Sequence, residues 1–214
     1  MKRAFFAATI LAILVFPAFA GNGQYCPESD FSFRIIGNGT AVEIIRYVSG
    51  NTDVRIPARI QGLPVTVIGE EAFWGNQLTS VTIPDSVAHI GDFAFNGNRL
   101  TSVIIPDSVT HIGNEAFADN GLTSVSISNN VTHISRGAFW NNMLASVIIP
   151  DGVTHIHFAA FWANTPLASV IIPDSVTYIG DRTFSGNHIT SVSVPSHAQV
   201  HPEAFNQAVT VIRR

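Results

Sequence analysis

The chain has 214 residues, 46% of them hydrophobic and 12% charged, with 11 Lys and Arg against 15 Asp and Glu. The apolar fraction excludes a wholly disordered chain, the acidic balance argues against a nucleic-acid binder, and the length suits one domain or two small ones. The charged fraction is about half that of an ordinary soluble domain.

Residues 1–20 have the layout of a secretory signal peptide. Lys2 and Arg3 form a positive start, Phe5 to Phe16 an apolar run, and Ala18-Phe19-Ala20 an A-x-A cleavage site before Gly21. The run is short for a bilayer span, and nothing else in the sequence approaches one. Lys2 is the only lysine, so a chain cleaved after residue 20 carries none. Cys26 is the only cysteine. Internal disulfides are therefore excluded, and Cys26 either pairs between chains or stays a free thiol. Stability must come from a hydrophobic core. Residues 21–30 show no pattern and read as a loose lead-in. Phe31–Ile36 and Ala41–Tyr47 flank Gly37-Asn38-Gly39-Thr40, which predicts a β-hairpin.

From residue 54 onward the chain repeats. Leu78, Leu100, Leu122, Leu144, Leu167 and Ile189 recur every 22 residues, with a single step of 23 across Asn164-Thr165-Pro166-Leu167. Phe73, Phe95, Phe117, Phe139, Phe161, Phe184 and Phe205 keep nearly the same period. Asn76, Asn98, Asn120, Asn142, Asn164 and Asn187 each follow a Phe at the third position. Within one unit, Val103 and Ile105 alternate with Ser102 and Ile104, which predicts a strand. Pro106 ends it, because proline has no N–H for a ladder. Val109 and Ile112 turn inward on a second short extended segment. Gly113 makes a corner, Phe117 fills the interior and Asn120 turns the chain into the next unit. One such unit cannot bury its apolar face alone, whereas a stack of coils buries it continuously. The Phe residues then form an aromatic spine. The Asn amides satisfy backbone groups of their own corner and of the neighbouring coil.

The recurring Leu-x-x-Val-x-Ile-Pro-x-x-Val-x-x-Ile-Gly-x-x-Ala-Phe-x-x-Asn resembles the BspA-like, or treponemal-type, leucine-rich repeat. It covers roughly residues 54–205, and residues 56–73 look like that family's irregular first coil. Ser128-Asn129 replaces Pro-Asp in one coil, and Ser135 and His157 replace Gly in two. The resemblance implies an exported or cell-surface bacterial protein whose relatives bind host or neighbouring-cell proteins. It supplies no catalytic residues. The fold class is thus a mainly β repeat solenoid, a right-handed stack of coils of about 22 residues with an N-terminal β-hairpin cap. Its parts are a signal peptide (1–20), a lead-in (21–30), an N-terminal β cap (31–53), the solenoid (54–205) and a C-terminal cap strand (206–214).

Function in such a stack lies in its outward columns. Ser102, Ser124, Ser146 and Ser169 belong to one column, and Ile104, Ile148 and Ile171 to its neighbour. Together they form a small, neutral, partly apolar face suited to close approach of a protein partner. The competing reading is that small residues only satisfy tight sheet curvature. Trp140 and Trp162 follow the repeat Phe in adjacent coils and are candidates for an exposed aromatic patch, with half-buried corner packing as the alternative. His89, His111, His133 and His155 share one column, and His157 adds a His-x-His pair. As a surface ladder they would repel one another when protonated, lowering their pKa values in the folded state. His133, His155 and His157 are also candidate metal ligands. Asp85, Asp107, Asp151 and Asp174 follow the turn proline and suit that turn.

No nucleophile elbow, P-loop, dinucleotide fingerprint or zinc-protease motif is present, so no enzyme is expected. No cofactor is expected either. The reading is an exported monomer, secreted, on the cell surface or periplasmic, that binds a protein through its solenoid face. It makes no use of nucleic acid and does not insert in a membrane once the signal is removed. A structural envelope scaffold, or a glycan- or metal-binding module, is the alternative.

Overall fold

The computed structural model describes residues 24–214. The signal-peptide segment and residues 21–23 of the lead-in lie outside the described residues. Two strands open the fold, β1 (Phe31–Ile36) and β2 (Ala41–Tyr47), paired antiparallel across the Gly37–Thr40 turn. An irregular first coil follows, with β3 (Asp53–Arg55), β4 (Arg59–Ile60) and β5 (Leu63–Ile68). The regular coils then alternate a longer strand with a two-residue one. These are β6 (Ser80–Thr82) and β7 (His89–Ile90), β8 (Ser102–Ile104) and β9 (His111–Ile112), β10 (Ser124–Ser126) and β11 (His133–Ile134). They continue as β12 (Ser146–Ile148) and β13 (His155–Ile156), β14 (Ser169–Ile171) and β15 (Tyr178–Ile179), β16 (Ser191–Val194) and β17 (Gln199–Val200), and close with β18 (Thr210–Arg213).

The longer strands pair in parallel, two by two: β3 with β6, β8 with β10, β12 with β14 and β16 with β18. The short strands make two parallel ladders, β5-β7-β9 and β11-β13-β15-β17. Register is fixed by the repeat, so His89 lies beside His111 and Val147 beside Val170. β2 joins the first ladder in parallel with β5, and the hairpin thereby covers the stack's first coil. Residues 24–30 are tied to the same end. Cys26 N–H donates to Arg55 O (3.0 Å), Arg55 N–H donates to Cys26 Sγ (3.4 Å), and Gln61 N–H donates to Glu28 Oε1 (3.0 Å).

The core is one continuous column of buried Phe, Leu, Val, Ile and Ala running the length of the stack. Successive Phe rings from Phe73 to Phe205 lie nearly parallel, with centroids 4.9 to 5.7 Å apart. Tyr47 of β2 stacks on Phe73 at 5.4 Å, so the cap extends the aromatic spine. The backbone beneath the rings is bonded coil to coil: Phe95 N–H donates to Ala116 O, and Phe117 N–H to Ala138 O. Each Phe from Phe73 to Phe184 is bracketed by two left-handed residues, at the second position before and after it. In one coil these are Ala159 (φ 55°) and Ala163 (φ 56°), in another Glu115 (φ 53°) and Asp119 (φ 53°). Such a backbone costs a residue with a Cβ about 1–2 kcal/mol, and the packed Phe between them holds it in place.

The Asn column closes the corner. Asn142 Oδ1 accepts from Leu122 N–H (3.0 Å), while its Nδ2 donates to Phe117 O (2.9 Å) and Phe139 O (3.2 Å). Asn98, Asn120 and Asn164 repeat the arrangement one coil at a time. Each amide therefore satisfies its own turn and the coil behind it, as the sequence suggests. Gly113 meets a different demand, since a Cβ there would sit 2.5 Å from Asp92 N in the coil below.

Asn142→Ala leaves one N–H and at least two carbonyls unpaired in a dry corner. It is expected to lower unfolding stability by about 2–4 kcal/mol in a urea titration, and a loss below 1 kcal/mol would refute the clamp. Gly113→Ala is expected to cost about 1–3 kcal/mol by overpacking against backbone. Gly50→Ala, where a Cβ meets nothing within 4 Å, should leave the thermal midpoint nearly unchanged.

Candidate functional site

The longer strands carry inward residues at their centres and outward ones on either side. Val103, Val125 and Val147 are buried, while Ser102, Ser124 and Ser146 are half-buried and Ser169 is exposed. Ile104 (49% exposed), Ile148 (48%) and Ile171 (51%) stand out from the same face. The register places Ile148 directly beside Ile171, and Ile104 beside Ser126. β18 adds a residue that sequence reasoning missed. Ile212 pairs with Ser193 in the same column and is 53% exposed. Its signal was the terminal strand Thr210–Arg213, whose place in the register was not read from the repeat. At the other end the columns begin with Asp53 and Arg55 of β3, and Ser80 Oγ donates to Asp53 Oδ1.

Acidic residues edge this face, and two of them are engaged. Asn129 donates to the Asp107 carboxylate from its backbone N–H (2.9 Å) and its Nδ2 (3.2 Å). Asn129 is one of the departures from the repeat, and the carboxylate below it explains why an amide suits that position. Its neighbour Ser128 is buried and donates to Val109 O. Arg214 Nη2 lies 3.0 Å from Asp174 Oδ1. The strip of Ile and Ser between these acids and the Thr corner is neutral.

Trp140 and Trp162 do come together. Their rings are parallel within 6°, with centroids 5.5 Å apart, and both side chains are half-buried. The outer side of Trp162 rests on the next coil, 3.3 Å from where a Cβ on Gly186 would stand. One face of each indole is thus taken by the other ring, and Trp162 is covered on both sides. Stacking a sugar needs an open ring face, and the pair offers edges. This matches the corner-packing alternative. Trp74, 59% exposed, stands alone at the N-terminal end of the same column.

The histidines form two stacks rather than one ladder. His89 and His111 stack at 4.3 Å within 4° of parallel. His133, His155 and His157 gather at 4.7, 5.5 and 6.0 Å, and Tyr178 closes this group at 5.8 Å from His155. Thr154 Oγ1 gives its only proton to Thr132 O (3.0 Å), so the 2.9 Å contact to His155 Nδ1 is a donation by the imidazole N–H. The expected metal trio is therefore brought together face to face. Lone pairs of parallel rings lie in their own planes and do not converge on one ion. Among the described residues no group of three His, Cys, Asp or Glu side chains is arranged to hold a metal.

Two of these imidazoles titrate below their ordinary range. Burial is the main cause for His157, reinforced by His133 and His155. Burial also leads for His89, followed by His111, with Asp92 and Glu43 pulling the other way. The direction agrees with the expectation from sequence, but desolvation exceeds mutual repulsion as the cause.

The family model for a BspA type leucine rich repeat region matches in six copies, over residues 52–166 and 89–211. Among solved structures, a leucine rich cell surface protein from Faecalibacterium prausnitzii is 26% identical with a TM-score of 0.67, over 90% of this chain and 56% of that one. The Treponema pallidum leucine rich repeat protein is 20% identical with a TM-score of 0.53, over 88% of this chain and 86% of its own. The pneumococcal vaccine antigen PcpA is 14% identical with a TM-score of 0.57, over 88% of this chain and 49% of its own. The chain thus spans about half the length of two of these three proteins. No curated protein matches it. Among the described residues no helix is long and apolar enough to cross a membrane.

The lowered His pKa values have a sign for stability. Above the unfolded value of about 6.5 both states are neutral and the contribution is fully present. As pH falls below it, the unfolded chain takes up protons first and stability is lost. The thermal midpoint is expected to fall between pH 7.5 and pH 5.0. His89→Gln with His157→Gln should flatten that fall, and an equal fall in parent and variant would remove the two residues from the account.

Proposed function

The chain belongs to the BspA-type leucine-rich repeat family, and on that premise we propose that it is an exported module that binds a protein partner through the Ser/Ile face. The observation that carries this reading is the column Ile104, Ile148, Ile171, each half-exposed on a rigid parallel sheet and lined by Ser102, Ser124, Ser146 and Ser169. A soluble coil gains nothing by presenting branched aliphatic side chains to water. A partner that covers them gains roughly 25 cal/mol per Å² of apolar surface removed. Small Ser side chains let that partner approach the backbone closely and find hydroxyl groups there.

Binding on this face uses shape and burial, with no chemical step. The cell-surface designation of the Faecalibacterium protein supports a partner on a host or neighbouring cell, and adhesion as the outcome. A monomer suffices, because the face is complete within one chain. Release to the cell surface or beyond requires export, which the signal-peptide reading of residues 1–20 supports.

Beads coated with residues 21–214 are expected to attach to target cells in a protease-sensitive manner. Ile148→Asp with Ile171→Asp places two charges at the centre of the face and should reduce attachment at least about tenfold, with little change in thermal midpoint. Trp140→Ala with Trp162→Ala should leave attachment intact. Attachment that survives the Asp pair and disappears with the Trp pair would move the site to the other edge of the stack.

A further inference from the structure

One junction between coils is built differently from the rest. At the regular junctions each repeat Leu donates its N–H to the Asn of the following coil, as Leu78 to Asn98 (3.0 Å), Leu100 to Asn120 (3.1 Å), Leu122 to Asn142 (3.0 Å) and Leu144 to Asn164 (3.2 Å). The residue just before each Leu donates its own N–H to the Leu carbonyl one coil back. Arg99 bonds Leu78 O (2.9 Å), Gly121 bonds Leu100 O (3.0 Å) and Met143 bonds Leu122 O (2.9 Å).

The extra residue in Asn164-Thr165-Pro166-Leu167 breaks both patterns. The residue before Leu167 is Pro166, which has no N–H to give Leu144 O. Leu167 N–H turns back within its own corner to Asn164 O (2.7 Å). Asn187 Oδ1, the acceptor that would have received it, is buried and has no hydrogen-bond partner among the described residues. Asn187 keeps only its donor side, to Phe161 O (3.0 Å) and Phe184 O (2.9 Å). Val170 in the adjacent strand is half-buried, whereas Val81, Val103, Val125, Val147 and Val192 in its column are buried. The Phe161–Phe184 stack at 5.4 Å and the Ser146–Ser169 register cross the junction intact.

In a one-dimensional stack each coil is held by its neighbours, so a weakened interface divides the array into separately opening segments. We propose that the junction at residues 164–167 is a joint, and that the coils following it open as a unit ahead of the coils before it. The joint falls between Ile148 and Ile171, so the outward face flexes at its centre while its two halves stay rigid. Neither the joint nor its test depends on what the face binds.

Hydrogen exchange read by mass spectrometry on residues 21–214 tests this. Amides at Phe184, His188 and Val192 are expected to exchange through an opening about tenfold or more populated than the one that exposes Phe95, Phe117 and Phe139. Fraying from the C-terminal end alone would give the same gradient, so deletion of Thr165 is the deciding variant. It restores the 22-residue spacing and is expected to raise protection across residues 168–205 about tenfold, leaving residues 95–139 unchanged. A folded deletion variant with unaltered protection overturns the joint. If the deletion does not fold, the amides decide. Asn187→Ala should lower protection of its own coil several-fold less than Asn142→Ala lowers that of its coil, because it removes fewer bonds. Equal losses would overturn the proposal.

Discussion

The rest of the molecule depends on one side-chain amide per coil. After each Phe the chain must turn sharply, and a sharp turn in a dry interior strands backbone groups that no sheet ladder reaches. The Asn at that corner has an acceptor and two donor protons on one planar group, and it uses both kinds. It accepts from the coil behind and donates to the carbonyls of two successive Phe residues. The amide therefore fastens the backbone on which the aromatic spine is mounted. An apolar residue of the same size would fill the space and leave the peptide groups unpaired, at a cost of about 1–3 kcal/mol for each.

That arrangement accounts for the low charge. Inward columns of Leu, Val, Ile, Ala and Phe, together with corner residues, occupy most positions of every coil. The positions left over also fall into columns, because parallel stacking places like beside like. Where the outward residue is flat, the surface repeats the logic of the core, as in the His89–His111 and Trp140–Trp162 stacks. Where it is aliphatic, as at Ile148 and Ile171, there is no ring to lie against a neighbour, and the side chain projects. The Ser/Ile strip is the outward region where stacking does not consume the apolar surface.

Much of this was legible in the sequence, because a solenoid writes each contact as a repeat. The strand at Ser102–Ile104, the Phe spine and the corner role of Asn120 all follow from the 22-residue period. The left-handed residues bracketing each Phe were hidden. Gly75 and Gly97 advertise such a backbone, but Asp119, Asn141 and Ala163 occupy the same corner in later coils, and their residue types give no hint. Tyr47 as the end of the aromatic spine was equally hidden, since it lies outside the period and reaches Phe73 only through the pairing of β2 with β5. For the site, the composition of each column was readable and the orientation of its side chains was not. His133, His155 and His157 were recognisably neighbours, yet whether imidazoles converge on a point or lie face to face depends on torsions that spacing does not encode. The same holds for Trp140 and Trp162. The extra residue at 165–166 was visible, but its effect on Asn187 depends on where a displaced N–H turns.

The Asn clamp also has a direction. Leu78 N–H is satisfied by Asn98, and Phe95 N–H by Ala116, so each coil is completed by groups that lie about twenty residues further along the chain. A ribosome delivers those groups in the same order, one coil at a time. The β1–β2 hairpin emerges first and offers Tyr47 as a floor. Every later coil then meets a finished surface beneath it and finishes that surface's open bonds as it lands. The molecule is laid down like courses of brick, and at no stage of synthesis does a contact have to wait for a distant part of the chain.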